Sequence, residues 1–145
     1  FSLAPGVPNA FGLIGAEANA IAPGKRPLSS MSPTIVLKDG KPLLAVGAAG
    51  GPTIITQTLL AIIHTIDFGR PVNEALIQPR FHHQWQPDSI RIERKVGEKV
   101  LAELRRRGHT LKIYNQMGAT QAVSLRNGKF NAAHDPRLKG KATSY

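Results

Sequence analysis

Residues 34–69 constrain the fold of this chain more than any other stretch. Thr34-Ile35-Val36-Leu37 is an apolar, largely β-branched run that favours an extended strand. Asp39-Gly40 follows, a pair that accepts the positive φ values of a tight hairpin turn. Leu43-Leu44-Ala45-Val46 returns as a second strand. Both runs are apolar on successive residues, which predicts that both faces of the hairpin are covered. Gly50-Gly51-Pro52 then leads into residues 53–68, where Ile55, Leu59, Ile62, Ile63 and Ile66 recur at helical spacing on one face. Pro52 suits the first position of that helix and Gly69 suits its stop. Any fold for this chain has to accommodate a strand, a glycine pair and a helix in immediate succession.

The remainder reads in shorter pieces. A helix is predicted over 72–77, then an irregular stretch over 80–87 and a strand over 89–93. An amphipathic helix follows over 97–107, with Val100, Leu101 and Leu104 inward and Gly108 as its stop. A strand is predicted over 110–114. Asn127-Gly128 marks a second hairpin between 120–125 and 129–133. Residues 1–27 are rich in Pro, Gly, Ala and Asn without a sustained period, and read as loop. Loops of that length tend to be functional or to pack on another element. Hairpins mixed with helices predict a layered α/β or α+β domain, with residues 1–145 as a single unit.

Composition narrows the function classes. Hydrophobic residues make up 41% and charged residues 19% of the chain, an ordinary globular balance. No apolar run approaches the roughly 18 residues of a membrane span, so no membrane contact is expected. The absence of cysteine excludes disulfides and thiolate metal sites. Lys and Arg total 19 against 9 acids, a net charge of +10. The one dense basic cluster, Arg105-Arg106-Arg107, ends a predicted helix, where cations complement the helix dipole. No aromatic residues interleave with it as a base-stacking surface requires, so nucleic acid is not an expected partner. The chain opens at Phe1 without a signal or targeting segment, which suggests a fragment or a processed product.

Three constellations could carry chemistry. At Gly50-Gly51 a strand passes into a helix start, which offers N–H groups without intrahelical partners and the positive end of a dipole. Glycine lets a substrate approach that backbone closely, so the turn suits an anion or a developing oxyanion. The alternative is a tight connection in which glycine only relieves crowding. Ser29-Ser30, before the first strand, could bind a carboxylate through hydroxyl and N–H groups, or could simply bond to the local backbone. Phe81-His82-His83-Gln84-Trp85 places two histidines side by side. Neighbours in an extended chain point to opposite sides, and no carboxylate stands at zinc-site spacing, so no metal is expected. Packed Phe81 and Trp85 beside a hydrogen-bonded histidine are expected there instead. A triad of Ser29 or Ser30 with a histidine and Asp67 or Asp135 has no support from spacing.

These motifs together resemble the γ-glutamyltranspeptidase family. The resemblance rests on residues 23–34 (PGKRPLSSMSPT), 47–51 (GAAGG), 79–84 (PRFHHQ), 135–137 (DPR) and the final Tyr145, in the family's order and spacing. It implies the N-terminal-nucleophile hydrolase fold, an αββα sandwich with mixed, mostly antiparallel sheets. It also implies a zymogen that cleaves itself into two subunits, the small one starting with a Thr that is both nucleophile and base. That Thr attacks γ-glutamyl amides such as glutathione and passes the acyl group to water, amino acids or peptides, without a cofactor.

Matched residue by residue, Ser29 and Ser30 resemble the pair that holds the glutamyl α-carboxylate. Gly50 and Gly51 resemble the oxyanion donors. The nucleophilic Thr, an acidic residue that grips the substrate amine, and an Arg of the large subunit have no counterpart here. The resemblance therefore implies that residues 1–145 are the C-terminal portion of the small subunit and are inactive alone. The implied partners are the large subunit and the N-terminal part of the small one, in a periplasmic or secreted enzyme if the source is bacterial. Strands 34–37 and 120–125 are expected to form sheet edges that pair with those absent portions. A glutaryl-type β-lactam acylase of the same family and a non-catalytic basic interaction module are the alternatives.

Overall fold

A computed structural model describes residues 1–143; Tyr145, the last residue of the resemblance, lies outside the described residues. The elements are β1 (Thr34–Lys38), β2 (Lys41–Ala49), α1 (Ile54–Ile66), α2 (Val72–Leu76), β3 (Phe81–His82), β4 (Ile90–Glu93), α3 (Glu98–Arg106), β5 (Leu111–Tyr114), β6 (Ala119–Arg126) and β7 (Lys129–Ala133). An antiparallel four-stranded sheet has the order β1-β2-β6-β7, and a three-stranded sheet has the order β3-β4-β5. Strands β4 and β5 are parallel, with α3 as the crossover that parallel pairing requires. Both hairpin turns lie where the sequence marks them, with Asp39 and Asn127 at φ 51° and 50°.

The core lies where α1 and α2 cover one face of the larger sheet. Leu44, Val46, Ala122 and Ala133 meet Ala61, Val72 and Leu76 there. Complete burial of Leu44 and Leu76 stabilises the fold by about 1.5–3 kcal/mol per side chain.

Several expectations need correction. The opposite face of the sheet carries Ile35, Ala45, Val123 and Ala132 in lateral register across all four strands, and all four are exposed. Double coverage of the first hairpin therefore holds on one face only. Strand β6 is interior, flanked by β2 and β7, because the Asn127-Gly128 turn folds β7 onto its outer side; β1 is an edge as expected.

Helix α1 buries Ile54, Gln57, Thr58, Ala61 and Thr65, while Ile55 and Leu59 of the apolar stripe are more than half exposed. Small and polar side chains let this helix lie close to β2, so the sheet selects a different face from the most apolar one. In α3, Leu101 is fully buried and Leu104 partly, but Val100 is exposed. Phe81 and Trp85 are not packed, at 50% and 71% exposure.

The C-terminal segment is held by a buried ionic network that the sequence did not announce. Arg137 donates to Glu93 through Nε at 2.8 Å and Nη2 at 2.6 Å, and to Asp135 through Nη1 at 3.1 Å. Arg80 pairs with Asp135 and also donates to the carbonyl of Met117 at 2.8 Å. Glu93 in turn accepts the backbone N–H groups of Arg80 and Met117. Burial alone would raise the Asp135 carboxyl; the Arg137 N–H, the Arg80 guanidinium and the Thr120 N–H outweigh it and hold it below the ordinary carboxylate value. Asp135 is thus committed to structure and is not free for a triad.

Candidate active site

Two peptide groups define the glycine junction. The carbonyl of Ala49 accepts the Gln57 amide at 3.2 Å. The carbonyl of Gly50 accepts the Thr53 hydroxyl at 2.8 Å and the Thr53 N–H at 3.3 Å. Both carbonyls are drawn inward, toward α1. In a trans peptide the N–H points opposite to its C=O. The N–H groups of Gly50 and Gly51, which belong to these two peptide units, therefore turn outward together.

The glycines are required by this geometry. Gly50 has φ 145° and Gly51 has φ 59°, values that side chains rarely adopt. A Cβ on Gly50 would stand 2.7 Å from both the Gln57 amide nitrogen and the Thr53 hydroxyl. After Gly50 a short 3-10 turn, Gly51–Thr53, with Pro52 at its centre, feeds into α1.

Gln57 organises the inner side of the turn. It is buried and also donates to Thr53 Oγ1 at 2.9 Å, while its oxygen accepts the Thr120 hydroxyl at 3.3 Å. Gly118 leaves the space for it: a Cβ there would lie 2.2 Å from the Gln57 amide nitrogen. Neither Gln57 nor Gly118 stood out in the sequence, since one interrupts an apolar helix and the other lies in an ordinary loop.

The serine loop meets this turn. Ser30 is partly buried, and its hydroxyl donates to the carbonyl of Gly51 at 3.1 Å. Ser29 is exposed, and its hydroxyl accepts the Met31 N–H at 3.1 Å. Ser32 donates to the Ser30 carbonyl at 3.1 Å and braces the loop from behind. Of the four residues singled out in the sequence, Ser30 and Gly51 thus touch, which sets the loop carrying Ser29 beside the turn carrying Gly50. From the opening loop, the Phe11 ring stands against Gly51, 3.1 Å from where a Cβ would be.

His82 lies beside this assembly and points inward, while His83 points outward to Asp88 at 3.0 Å. His82 Nδ1 lies 3.0 Å from the Thr56 hydroxyl and Nε2 lies 3.0 Å from Gln84 Oε1. Burial pushes its pKa down; the Gln84 bond opposes this, and Arg91 and His83 reinforce it. Among the described residues, no group of three or more His, Asp or Glu side chains is placed to hold a metal.

A profile of the γ-glutamyltranspeptidase family matches residues 1–145. The glutathione hydrolase proenzyme of Escherichia coli (strain K12) is 49% identical over 138 residues, covering 94% of this chain and 24% of that protein. The chain spans about a quarter of the length of this relative. A crystal structure of a Helicobacter pylori γ-glutamyltranspeptidase variant superimposes with a TM-score of 0.90 at 44% identity, over 95% of this chain and 77% of that one. The Pseudomonas nitroreducens γ-glutamyltranspeptidase complexed with L-DON gives 0.92 at 41% identity, over 100% and 77%. The α+β architecture with mostly antiparallel sheets is that of the N-terminal-nucleophile hydrolases. By profile, identity and fold, the chain belongs to the γ-glutamyltranspeptidase family.

Proposed function

We propose that residues 1–145 are the C-terminal portion of the small subunit of a γ-glutamyltransferase and glutathione hydrolase. In this reading the chain contributes half of an active site. Ser29 and Ser30 hold the α-carboxylate of the γ-glutamyl group, and the outward N–H groups of Gly50 and Gly51 stabilise the oxyanion. The observation that carries the reading is the 3.1 Å contact from the Ser30 hydroxyl to the Gly51 carbonyl, which joins the carboxylate loop to the oxyanion turn. A hydroxyl carries one proton and rotates freely, so Ser30 can exchange that carbonyl for a substrate carboxylate.

The nucleophile, a Thr at the start of the complete small subunit, attacks the γ-carbonyl. The resulting ester passes its acyl group to water, an amino acid or a peptide. A preorganised oxyanion donor of this kind supplies about 3–4 kcal/mol of barrier lowering. The nucleophile, the large subunit and the substrate's amine-binding acid are partners outside this chain. The bared apolar row Ile35-Ala45-Val123-Ala132 and the exposed apolar stripe of α1 are the surfaces such partners would cover. Among the described residues no helix is long and apolar enough to cross a membrane. A periplasmic or secreted location, if the source is bacterial, belongs to the same reading.

The test is turnover of γ-glutamyl-p-nitroanilide and glutaryl-p-nitroanilide by the complete protein. The γ-glutamyl amide should be cleaved, and residues 1–145 alone should cleave neither. Ser30→Ala should lower kcat/KM about 10- to 100-fold, the loss of one hydrogen bond to a charged group. A preference for the glutaryl amide would move the assignment to the acylase reading. An unchanged kcat/KM in Ser30→Ala would remove Ser30 from the site.

A further inference from the structure

We infer that Gln84 is a positioning residue for the oxyanion turn, acting through Phe11; the inference rests on the function proposed above. The Gln84 side-chain nitrogen donates to the carbonyls of Phe11 at 3.3 Å and of Gln86 at 3.0 Å. With both donor directions spent on carbonyls, its oxygen is the acceptor that faces His82 Nε2 at 3.0 Å. His82 Nε2 therefore carries the proton, and the bare Nδ1 faces the Thr56 hydroxyl at 3.0 Å, whose single proton is shared between Nδ1 and the Thr53 carbonyl at 3.1 Å.

The resulting path starts at Thr56 in the first turn of α1 and runs through buried His82 and Gln84 to the Phe11 backbone. It returns through the Phe11 ring to Gly51, at the same helix start. Among the described residues the other hydrogen bonds of loop 9–13 are internal: the Asn9 side chain accepts the N–H groups of Phe11 and Leu13 at 2.9 and 3.0 Å, and backbone bonds run from Asn9 N–H to Leu13 at 2.9 Å and from Gly12 N–H to Asn9 at 2.8 Å. Gln84 is the side chain that fastens this brace to the rest of the fold. By holding the Phe11 carbonyl, it keeps the ring over Gly51 and keeps bulk water off that side of the turn. Water exclusion strengthens an oxyanion bond in the transition state more than it strengthens ground-state binding, so the effect belongs to kcat.

The complete, processed protein tests this with Gln84→Glu, which still accepts from His82 but cannot donate to Phe11. Its kcat for γ-glutamyl-p-nitroanilide should fall about three- to tenfold, as for the one of its two lost hydrogen bonds that holds Phe11, with KM changed less than about twofold. Phe11→Ala should do the same, and the double variant should be no worse than either single one. Hydrogen exchange in residues 8–14 should be faster in Gln84→Glu than in the parent protein. Additive losses, or an unchanged kcat in Phe11→Ala, overturn the inference; the second arm decides even if Gln84→Glu fails to fold. Exchange also separates the two readings. A parent protein inactive on γ-glutamyl amides defeats the proposed function, whereas unaltered exchange in an otherwise active enzyme defeats the role of Gln84.

Discussion

The guanidinium of Arg137 grips both carboxylate oxygens of Glu93, through Nε at 2.8 Å and Nη2 at 2.6 Å, although 44 residues separate the two. This fork, with Asp135 and Arg80 beside it, ties the C-terminal segment to β4 and to the start of β3. Every charge in it faces an opposite one, and the leftover N–H groups of the two arginines reach the carbonyls of Leu76, Gln78 and Met117. A buried network so completely satisfied is costly to break on one side only.

Arg137→Ala should therefore destabilise the protein by about 3–5 kcal/mol, measured by denaturant unfolding, because it strands the Glu93 carboxylate in the interior. Replacing Glu93 and Arg137 together by leucine should cost less than the sum of the two single changes. Strict additivity would mean that the pair is not coupled.

Glycines with similar φ values should respond very differently to alanine. At Gly118, φ is 53° and a Cβ would lie 2.6 Å from the Ala49 carbonyl oxygen, which is backbone and cannot swing away. At Gly40, φ is 74° and nothing lies within 4 Å. Gly40→Ala should cost about 1 kcal/mol, from backbone conformation alone, and Gly118→Ala at least about 2–3 kcal/mol. Thermal unfolding of the two variants side by side checks the ordering; equal losses would mean that crowding at the turn is relieved by movement.

Gln57→Leu keeps much of the volume but removes the bonds that draw the Ala49 carbonyl inward and satisfy the Thr120 hydroxyl. The buried Thr120 hydroxyl without its acceptor and the Ala49 carbonyl without its side-chain donor should together cost about 2–4 kcal/mol of stability. If the site assignment is right, kcat of the complete enzyme should fall more than KM rises, because the amides of the turn lose their fixed direction. Steady-state kinetics on γ-glutamyl-p-nitroanilide, beside an unfolding curve, separates the two effects.

The pKa of His82 is depressed in the folded state, so the unfolded chain binds the extra proton first as pH falls. Its contribution to stability is complete above the unfolded value of about 6.5 and is lost as pH drops from there toward the lower folded value. His64 shifts in the same direction, first through burial and then through Arg70, so the parent protein alone cannot isolate His82. The gap in unfolding midpoint between the parent and His82→Gln should narrow between about pH 7.5 and pH 5.5. A gap that stays constant would mean that His82 does not titrate in that range.

Local patterning was enough to read most of the elements. Apolar runs, Asp39-Gly40, Asn127-Gly128 and Gly108 set strands, turns and stops through interactions a few residues long, and those survive into the fold. The four candidate residues were legible for the same reason: a glycine pair at a helix start and adjacent serines are local signals. Their meeting was not, because 21 residues separate Ser30 from Gly51 and only the folded chain closes that distance. The same applies to Gln57 under the turn, to the path from Thr56 to Phe11 and to the Arg137–Glu93 fork. Each depends on partners brought together by the sheets, and of the apolar stripe that helical periodicity marks on α1 Ile62 packs against the core while Ile55 and Leu59 stay more than half exposed. Sequence alone determines which backbone conformations each segment prefers; the tertiary structure decides which polar groups face one another, because burial leaves each of them only the partners that packing supplies.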